Sequence, residues 1–309
     1  MPERDLPEFI HLSPEIRDAL STATPVVALE SAVISHGLPH PTGLDTAAGL
    51  ETEVRAHSAV PATIAVSEGR LLVGAGAGEL ARLTGPEAWK IAERDLPVAV
   101  AARATGGTTV SATIAIAQMA GIDVMSTGGI GGVHLGAEHT WDVSADLPAL
   151  ARHSIIVICA GAKAICDIAK TLEYLDTAGV TVAAFGTDRF PNFYAVDSGL
   201  FAPRRIDEPR DAAVILAAKR RLGQPGAVLV ANPIPHESAL SADLVREAVE
   251  RAIAQAKDVH GGELTPALLN ALSDITGGRT LRANLALLRA NARLASLIAR
   301  EAAQESLRG

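Results

Sequence analysis

The chain has 309 residues, long enough for one large domain or two modest ones. Apolar residues make up 48% and aromatic residues only 3%, so a large core is available, built from Ala, Val, Ile and Leu, with little to stack single-stranded nucleic acid on. Lys and Arg number 27 against 35 Asp and Glu, and the net charge of −8 disfavours a general polyanion-binding surface while leaving room for a local cationic pocket that holds one phosphate. In chain order, the apolar runs at Val26–Leu29, 63–66 and 98–101 predict strands. A helix is predicted over 108–120, strands over 123–126 and 155–159, and a helix over 163–178. A strand over 180–185, a helix over 211–222 and a strand at Val228–Ala231 follow. A long helix over 280–304 closes the chain, with Leu281, Leu285, Leu288, Ala292 and Leu294 or Ala295 near one face. The strands run without polar alternation, as strands covered by helices on both faces do.

This order predicts a three-layer α/β/α sandwich with a mixed, largely parallel central sheet. No linker, internal repeat or low-complexity tract interrupts it, so residues 1–309 read as a single domain. Two cysteines, Cys159 and Cys166, are too few for a disulfide framework and read as small buried hydrophobes. The charged start Met1-Pro2-Glu3-Arg4-Asp5 lacks the apolar stretch of a signal peptide. No run approaches the roughly 20 apolar residues of a membrane span. A reducing, cytoplasmic setting is expected, without membrane or nucleic-acid partners.

Two standard phosphate motifs are missing. Gly74-Ala75-Gly76-Ala77-Gly78 carries Glu79 where a dinucleotide fingerprint needs its last glycine, and no glycine-rich loop ends in Gly-Lys-Ser/Thr. An ordinary dehydrogenase or P-loop enzyme is therefore disfavoured.

In open α/β sheets ligands gather beyond the carboxyl ends of strands, which directs attention to four polar places. Glu30 ends the apolar run Val26–Leu29; partial desolvation there suits a general acid, although a surface or helix-capping glutamate fits the same pattern. Gly106-Gly107-Thr108-Thr109 precedes a helix whose exposed N–H groups could hold a phosphate, or forms a turn with a threonine cap. Gly128, Gly129, Gly131 and Gly132 are costly for mere connection and would be justified by close backbone approach to a ligand. Beyond them, Ser144 or Asp146 could cap the helix that Pro148 begins, whereas Asp142 lies outside it and, with water, would suit Mg²⁺ or Mn²⁺. His134, Glu138 and His139 read as polar loop residues more readily than as ligands. Lys163 follows the apolar run 155–159. A lysine in an apolar setting at a helix start is a candidate imine former, although such a lysine more ordinarily snorkels to water.

The segments PVVALESAVISHGLPHP, VPATIAV, KIAERDLP, TGGTTVSAT, STGGIGGVHLGAEHTWDVSADL, VICAGAKAICD, EYLDTAGV, ANPIP and ITGG-x-x-L-x-x-N span nearly the whole chain. Together they resemble the pseudouridine-5′-phosphate glycosidase family, which includes the indigoidine-synthase-A-like proteins. The resemblance implies an α/β/α fold, a homotrimer and reversible conversion of pseudouridine 5′-phosphate and water to uracil and ribose 5-phosphate, in pseudouridine catabolism. It implies Lys163 as the imine-forming nucleophile, Glu30 as proton donor and Asp142 as ligand to a divalent metal, usually Mn²⁺. Lys90, Val110, Ser144, Ala145 and Asp146 match substrate-contacting positions, and His134 and Asn284 are carried over as pocket residues. A carbon-linked uracil leaves poorly by the two-carboxylate route, whereas an amine and an acid together provide an electron sink and a proton. The alternatives are a Schiff-base sugar-phosphate lyase or aldolase, a glycosidase for a related C-nucleotide, and a sugar-phosphate sensor without turnover.

Overall fold

The computed structural model describes residues 6–38, 41–255 and 264–306. The charged start Met1–Asp5 and, within the first matching segment, Pro39 and His40 lie outside the described residues. Among the described residues, eleven strands and twelve α-helices follow one another. In order they are β1 Ile10–Leu12, α1 Pro14–Ser21, β2 Val26–Leu29, α2 Thr42–Ala56, β3 Val60–Ser67, β4 Arg70–Val73 and α3 Ala77–Arg82. Next come β5 Trp89–Ile91, α4 Leu96–Ala101, β6 Gly106–Thr108, α5 Val110–Ala120, β7 Val124–Ser126, α6 Ala137–Thr140 and α7 Asp146–Arg152. The rest are β8 Ile156–Cys159, α8 Ile168–Thr177, β9 Thr181–Phe185, β10 Arg205–Ile206, α9 Pro209–Arg221, β11 Val228–Ala231, α10 Ala242–Gln255, α11 Leu264–Ile275 and α12 Arg279–Ser306.

The strand order β1-β4-β3-β2-β7-β8-β11-β9-β10 forms one sheet in which only β3 and β4 pair antiparallel along this path. The expected mixed, largely parallel sheet is thus present. Its inner strands are continuous apolar runs because helices cover both faces: α12 packs against α2 and α9 on one side, and α5 against α7 on the other. Helix α5 is buried around almost its whole circumference, which explains its Ala, Ile and Thr composition.

Strand β3 does two jobs. Its first half, Val60–Thr63, runs parallel to β2, and its second half leaves that layer to pair antiparallel with β4 and β6. Strand β5 then adds to β6 in parallel, with Lys90 opposite Gly107. This small extension brings a lysine toward the site from outside the central sheet.

Two expected elements are corrected. Residues 98–101 belong to helix α4, not to a strand, because Pro97 sits in its first turn, where the missing N–H costs nothing, and the short helix buries Leu96 and Ala99 while Val98 faces water. The strand of this region is instead Gly106–Thr108, which lacks bulky side chains. At Gly106 a β-carbon would stand 2.3 Å from the carbonyl oxygen of Trp89, so the close pairing with β5 requires glycine. The helix expected from residue 163 begins only at Ile168, where the Asp167 side chain accepts from the Lys170 N–H at 3.0 Å and sets the start.

Candidate active site

Because β2, β7, β8 and β11 are parallel, their carboxyl ends lie along one edge of the sheet. The register pairs Leu29 with Ser126, and Ser126 with Ile158. The next residues, Glu30 and Thr127, are therefore neighbours, and the Thr127 hydroxyl donates a hydrogen bond to Glu30 Oε1. Beneath them a buried hydroxyl cluster fixes the backbone. Ser31 Oγ donates to the Ile64 carbonyl at 2.6 Å and accepts from the Thr108 N–H at 3.0 Å. Thr108 Oγ1 in turn donates to the same Ile64 carbonyl at 2.7 Å.

A cavity opens above this edge. Glu30, Lys90, Lys163, Asn284 and His36 supply its polar lining, with Val33, Phe193, Leu269 and Leu288 among its apolar walls. Burial pushes the Glu30 carboxyl above the usual carboxylate range; Lys163, the Thr127 hydroxyl and Lys90 pull it back, while Asp146 adds to the rise. A carboxyl raised in this way is suited to work as a general acid.

Lys163 sits in a turn, not in a helix. Its N–H donates to the Ile130 carbonyl at 2.9 Å and its carbonyl accepts from the Cys166 N–H at 2.9 Å. The glycine-rich segment and the lysine turn are thus one unit. Gly128 and Gly129 line the cavity, as close backbone approach to a ligand requires, whereas Gly131 and Gly132 serve packing. A β-carbon on Gly131 would fall 2.2 Å from Ser144 Oγ, and one on Gly132 would fall 2.4 Å from Thr171 Oγ1. At Gly129 it would meet the Phe193 ring at 2.5 Å. Phe193 itself is held at φ 49°, a backbone state uncommon for a bulky residue and a feature that concentrates at ligand sites.

The anion at the start of α5 is the protein's own. Asp146 is buried; its Oδ1 accepts from the Ser111 N–H at 2.9 Å and its Oδ2 from the Gly131 N–H at 2.8 Å. Asp146 occupies the first turn of α7 with Ala145 before it, and Ser144 Oγ accepts from the Asp146 N–H at 3.2 Å. Val110 is fully buried in the first turn of α5.

His134 and Asp142 form a second polar group beside the lysine turn. Their main chains pair, with the His134 N–H donating to the Asp142 carbonyl at 3.0 Å, and Nδ1 lies 3.5 Å from Asp142 Oδ2. Burial holds His134 below the usual histidine range; Lys163 and Lys90 add to that, and Asp142 opposes it. Glu138 is engaged elsewhere, accepting from Lys170 Nζ at 2.9 Å. Among the described residues, no group of three or more His, Cys, Asp or Glu is placed to hold a metal. Cys159 and Cys166 are buried and free, with thiols pushed up to about 12 by desolvation, which fits small hydrophobes and not nucleophiles.

Comparison with known proteins decides the family. The indigoidine synthase A like protein family matches residues 15–301. The chain belongs to that family. It is 50% identical over 296 residues to the pseudouridine-5′-phosphate glycosidase of Nocardioides sp., covering 95% of this chain and 96% of the relative. It is 48% identical over 294 residues to the enzyme of that name from Caldanaerobacter subterraneus subsp. tengcongensis, covering 94% and 96%. In three dimensions it is similar to a prealnumycin C-glycosynthase solved with ribulose 5-phosphate, with TM-score 0.90 and 35% identity over 98% of this chain and 100% of that one. An indigoidine synthase A-like protein from Thermotoga maritima superposes with TM-score 0.87 at 33% identity, covering 94% and 95%.

In this indigoidine synthase A-like protein, the cavity unites six of the residues singled out from sequence, Glu30, Lys90, Gly128, Gly129, Lys163 and Asn284. His134, Asp142, Ser144, Ala145, Asp146 and Val110 are not among its lining residues. Asp146 and His134 are nonetheless close enough to act electrostatically on Glu30 and with Lys163, respectively. Sequence reasoning missed Thr127, His36, Phe193 and Asn291. Thr127 could have been found, since it directly follows an apolar strand, as Glu30 does. His36 lies in the π-helical turn Val33–Gly37, which no periodicity announces.

Proposed function

We propose that this protein is a pseudouridine-5′-phosphate glycosidase that reversibly converts pseudouridine 5′-phosphate and water to uracil and ribose 5-phosphate. The observation that carries the reading is the convergence of Lys163 and the buried Glu30, whose carboxyl is raised by desolvation, in one cavity, in a chain about half identical to proteins of that name. The Lys163 nitrogen bonds to the anomeric carbon as the ring oxygen leaves that carbon and becomes a hydroxyl. Glu30 gives its proton to the uracil carbon that carries the glycosidic bond. The nitrogen lone pair then forms the C=N bond while the bond from the anomeric carbon to uracil breaks, and the electron pair of that bond restores the uracil ring double bond. Water hydrolyses the imine, releasing ribose 5-phosphate and restoring the amine. Lys90 offers a cation to the phosphate or sugar oxygens, and Asn284 with Leu288 and Val33 bounds the space for the leaving base. Incubation with pseudouridine 5′-phosphate, with uracil and ribose 5-phosphate read by chromatography, tests the reading; binding without uracil release would replace it by the sensor.

A second reading has a specific observation behind it. The similar C-glycosynthase was solved with a pentose 5-phosphate, which favours a related C-nucleotide as substrate, run in either direction. Side-by-side turnover of uracil and other carbon-nucleophilic bases with ribose 5-phosphate separates the two.

A divalent metal, Mn²⁺ with Mg²⁺ as substitute, is proposed at Asp142. One half-exposed carboxylate beside His134 fits a hard cation that keeps most of its water, and does not fit a closed structural site. Such an ion would supply positive charge that orients the phosphate and sugar oxygens. Asp142→Asn is expected to raise the Mn²⁺ concentration for half-maximal turnover at least about 10-fold. The electron paramagnetic resonance of free Mn²⁺ should show the same loss of binding. Unchanged activity after exhaustive chelation would remove the metal.

A cytoplasmic homotrimer in pseudouridine catabolism, each chain a single catalytic domain, completes the proposal. The free buried cysteines support a reducing compartment. Trp141, Leu135 and Val143 are 87%, 44% and 37% exposed on one short stretch, which supports burial against another copy. Among the described residues no helix is long and apolar enough to cross a membrane. Sedimentation equilibrium should return three chain masses, and a monomer at micromolar concentration would reject the trimer.

A further inference from the structure

Asn291 lies on α12, two turns beyond Asn284 and on the same face as Leu288, so one rigid helix carries both a cavity wall and this buried amide. Around it the helix buries Leu287, Leu288, Ala292, Leu294 and Ala295, where an aliphatic residue would pack at less expense than an amide. The amide is fully used. Asn291 Nδ2 donates to the carbonyl oxygens of Thr127 at 2.8 Å and Gly128 at 3.3 Å. Its Oδ1 accepts from Asn232 Nδ2 at 3.0 Å, and the Asn232 N–H is tied to the Cys159 carbonyl at 2.8 Å. Thr127 and Gly128 are also held from β8, since the Thr127 N–H donates to Ile158 at 3.0 Å and the Gly128 carbonyl accepts from Ala160 at 2.8 Å.

The clamped peptide is the one from which the Thr127 hydroxyl reaches Glu30. A threonine has few side-chain states, so where its main chain is pinned its hydroxyl is aimed. We propose that Asn291, backed by Asn232, is a positioning residue that aims the Thr127 hydroxyl at Glu30 and so holds the acid in its working orientation. The inference rests on the reading of Glu30 as the acid. The other charged groups that face Glu30 are Lys163 after β8, Lys90 on β5 and Asp146 on α7, and His36 lines the same cavity; the variants below leave all four in place.

The test compares Asn291→Leu, Thr127→Val, the double variant and the milder Asn232→Ala, which leaves Asn291 its two carbonyl contacts and guards against a misfolded Asn291→Leu. Uracil release is followed across pH, borohydride trapping with ribose 5-phosphate reports Lys163 alone, and infrared difference spectra follow the Glu30 carboxyl. In Asn291→Leu and Thr127→Val, kcat should fall about 10- to 100-fold with KM within about 2-fold. The Thr127 hydrogen bond favours the ionised carboxylate, so its loss should move both the alkaline limb of kcat and the carboxyl titration to higher pH. The double variant should be no worse than Thr127→Val, with trapping retained, and Asn232→Ala should shift the same way by less. Additive losses, an unmoved carboxyl titration, or a parallel loss of trapping would overturn the proposal and leave Asn291 a packing residue. If the native protein released no uracil, the functional reading would fall, while the carboxyl titration would still decide the clamp.

Discussion

Replacing Lys163 by alanine should reduce uracil release by about 10⁴- to 10⁶-fold, the scale of losing a covalent nucleophile that works as part of a unit. Lys163 lines the cavity and its turn is anchored to Ile130, so the truncation removes the amine without releasing the loop. The acid survives the change. Lys163 is the strongest of the influences that lower the Glu30 carboxyl, and its removal leaves Glu30 holding its proton more tightly, not less. A collapse in rate therefore reports the missing nitrogen and not an acid left unprotonated. Borohydride with ribose 5-phosphate should leave a reduced adduct on Lys163 in the native protein and none in Lys163→Ala, read by peptide mass spectrometry. Uracil release that persists without an adduct would keep the substrate and reject the lysine route. Affinity altered slightly, with turnover absent from both proteins, would favour a sensor.

Much of this site is legible in the sequence because it lies where strands end. Glu30 and Lys163 each follow an apolar run of parallel-sheet character, and the order β2-β7-β8 brings them to one stretch of the sheet edge. What the sequence could not yield is register. The bond from Thr127 to Glu30 joins residues 97 positions apart and depends on Leu29 facing Ser126, a pairing set by the whole sheet. The clamp by Asn291 spans 164 positions and is equally silent. The misassigned strand at 98–101 has a different cause: valines there suit a strand, but Pro97 and the burial of Leu96 and Ala99 decide for a helix. Glycine-rich stretches mislead in a third way. Glycine signals close approach without naming what approaches, and at Gly131 and Gly132 the visitors are Ser144 and Thr171.

Glu30→Gln should lower kcat about 10²- to 10⁴-fold, the usual worth of a positioned acid, while making the folded protein more stable at neutral pH. The two effects share one cause. Burial raises the Glu30 carboxyl above its unfolded value, so the folded chain binds that proton more tightly than the unfolded chain does. Stability then falls as pH rises from the ordinary carboxylate range through the folded pKa. Above that point the native protein carries a desolvated charge that glutamine does not. The thermal midpoint of Glu30→Gln should exceed that of the native protein at neutral pH, and the two should converge in acid, where Glu30 is protonated in both states. Glutamine keeps an oxygen for the Thr127 hydroxyl, so the geometry of the edge is preserved and the loss in rate belongs to the proton. The alkaline limb of kcat that reports Glu30 should disappear in the variant, leaving a low rate that no longer falls through that range. A variant that lost activity and thermal stability together would show that the carboxylate supports the fold; one that kept full activity would move the acid elsewhere. A gain in stability with a loss in rate is the signature of a charge retained for chemistry at the expense of the fold.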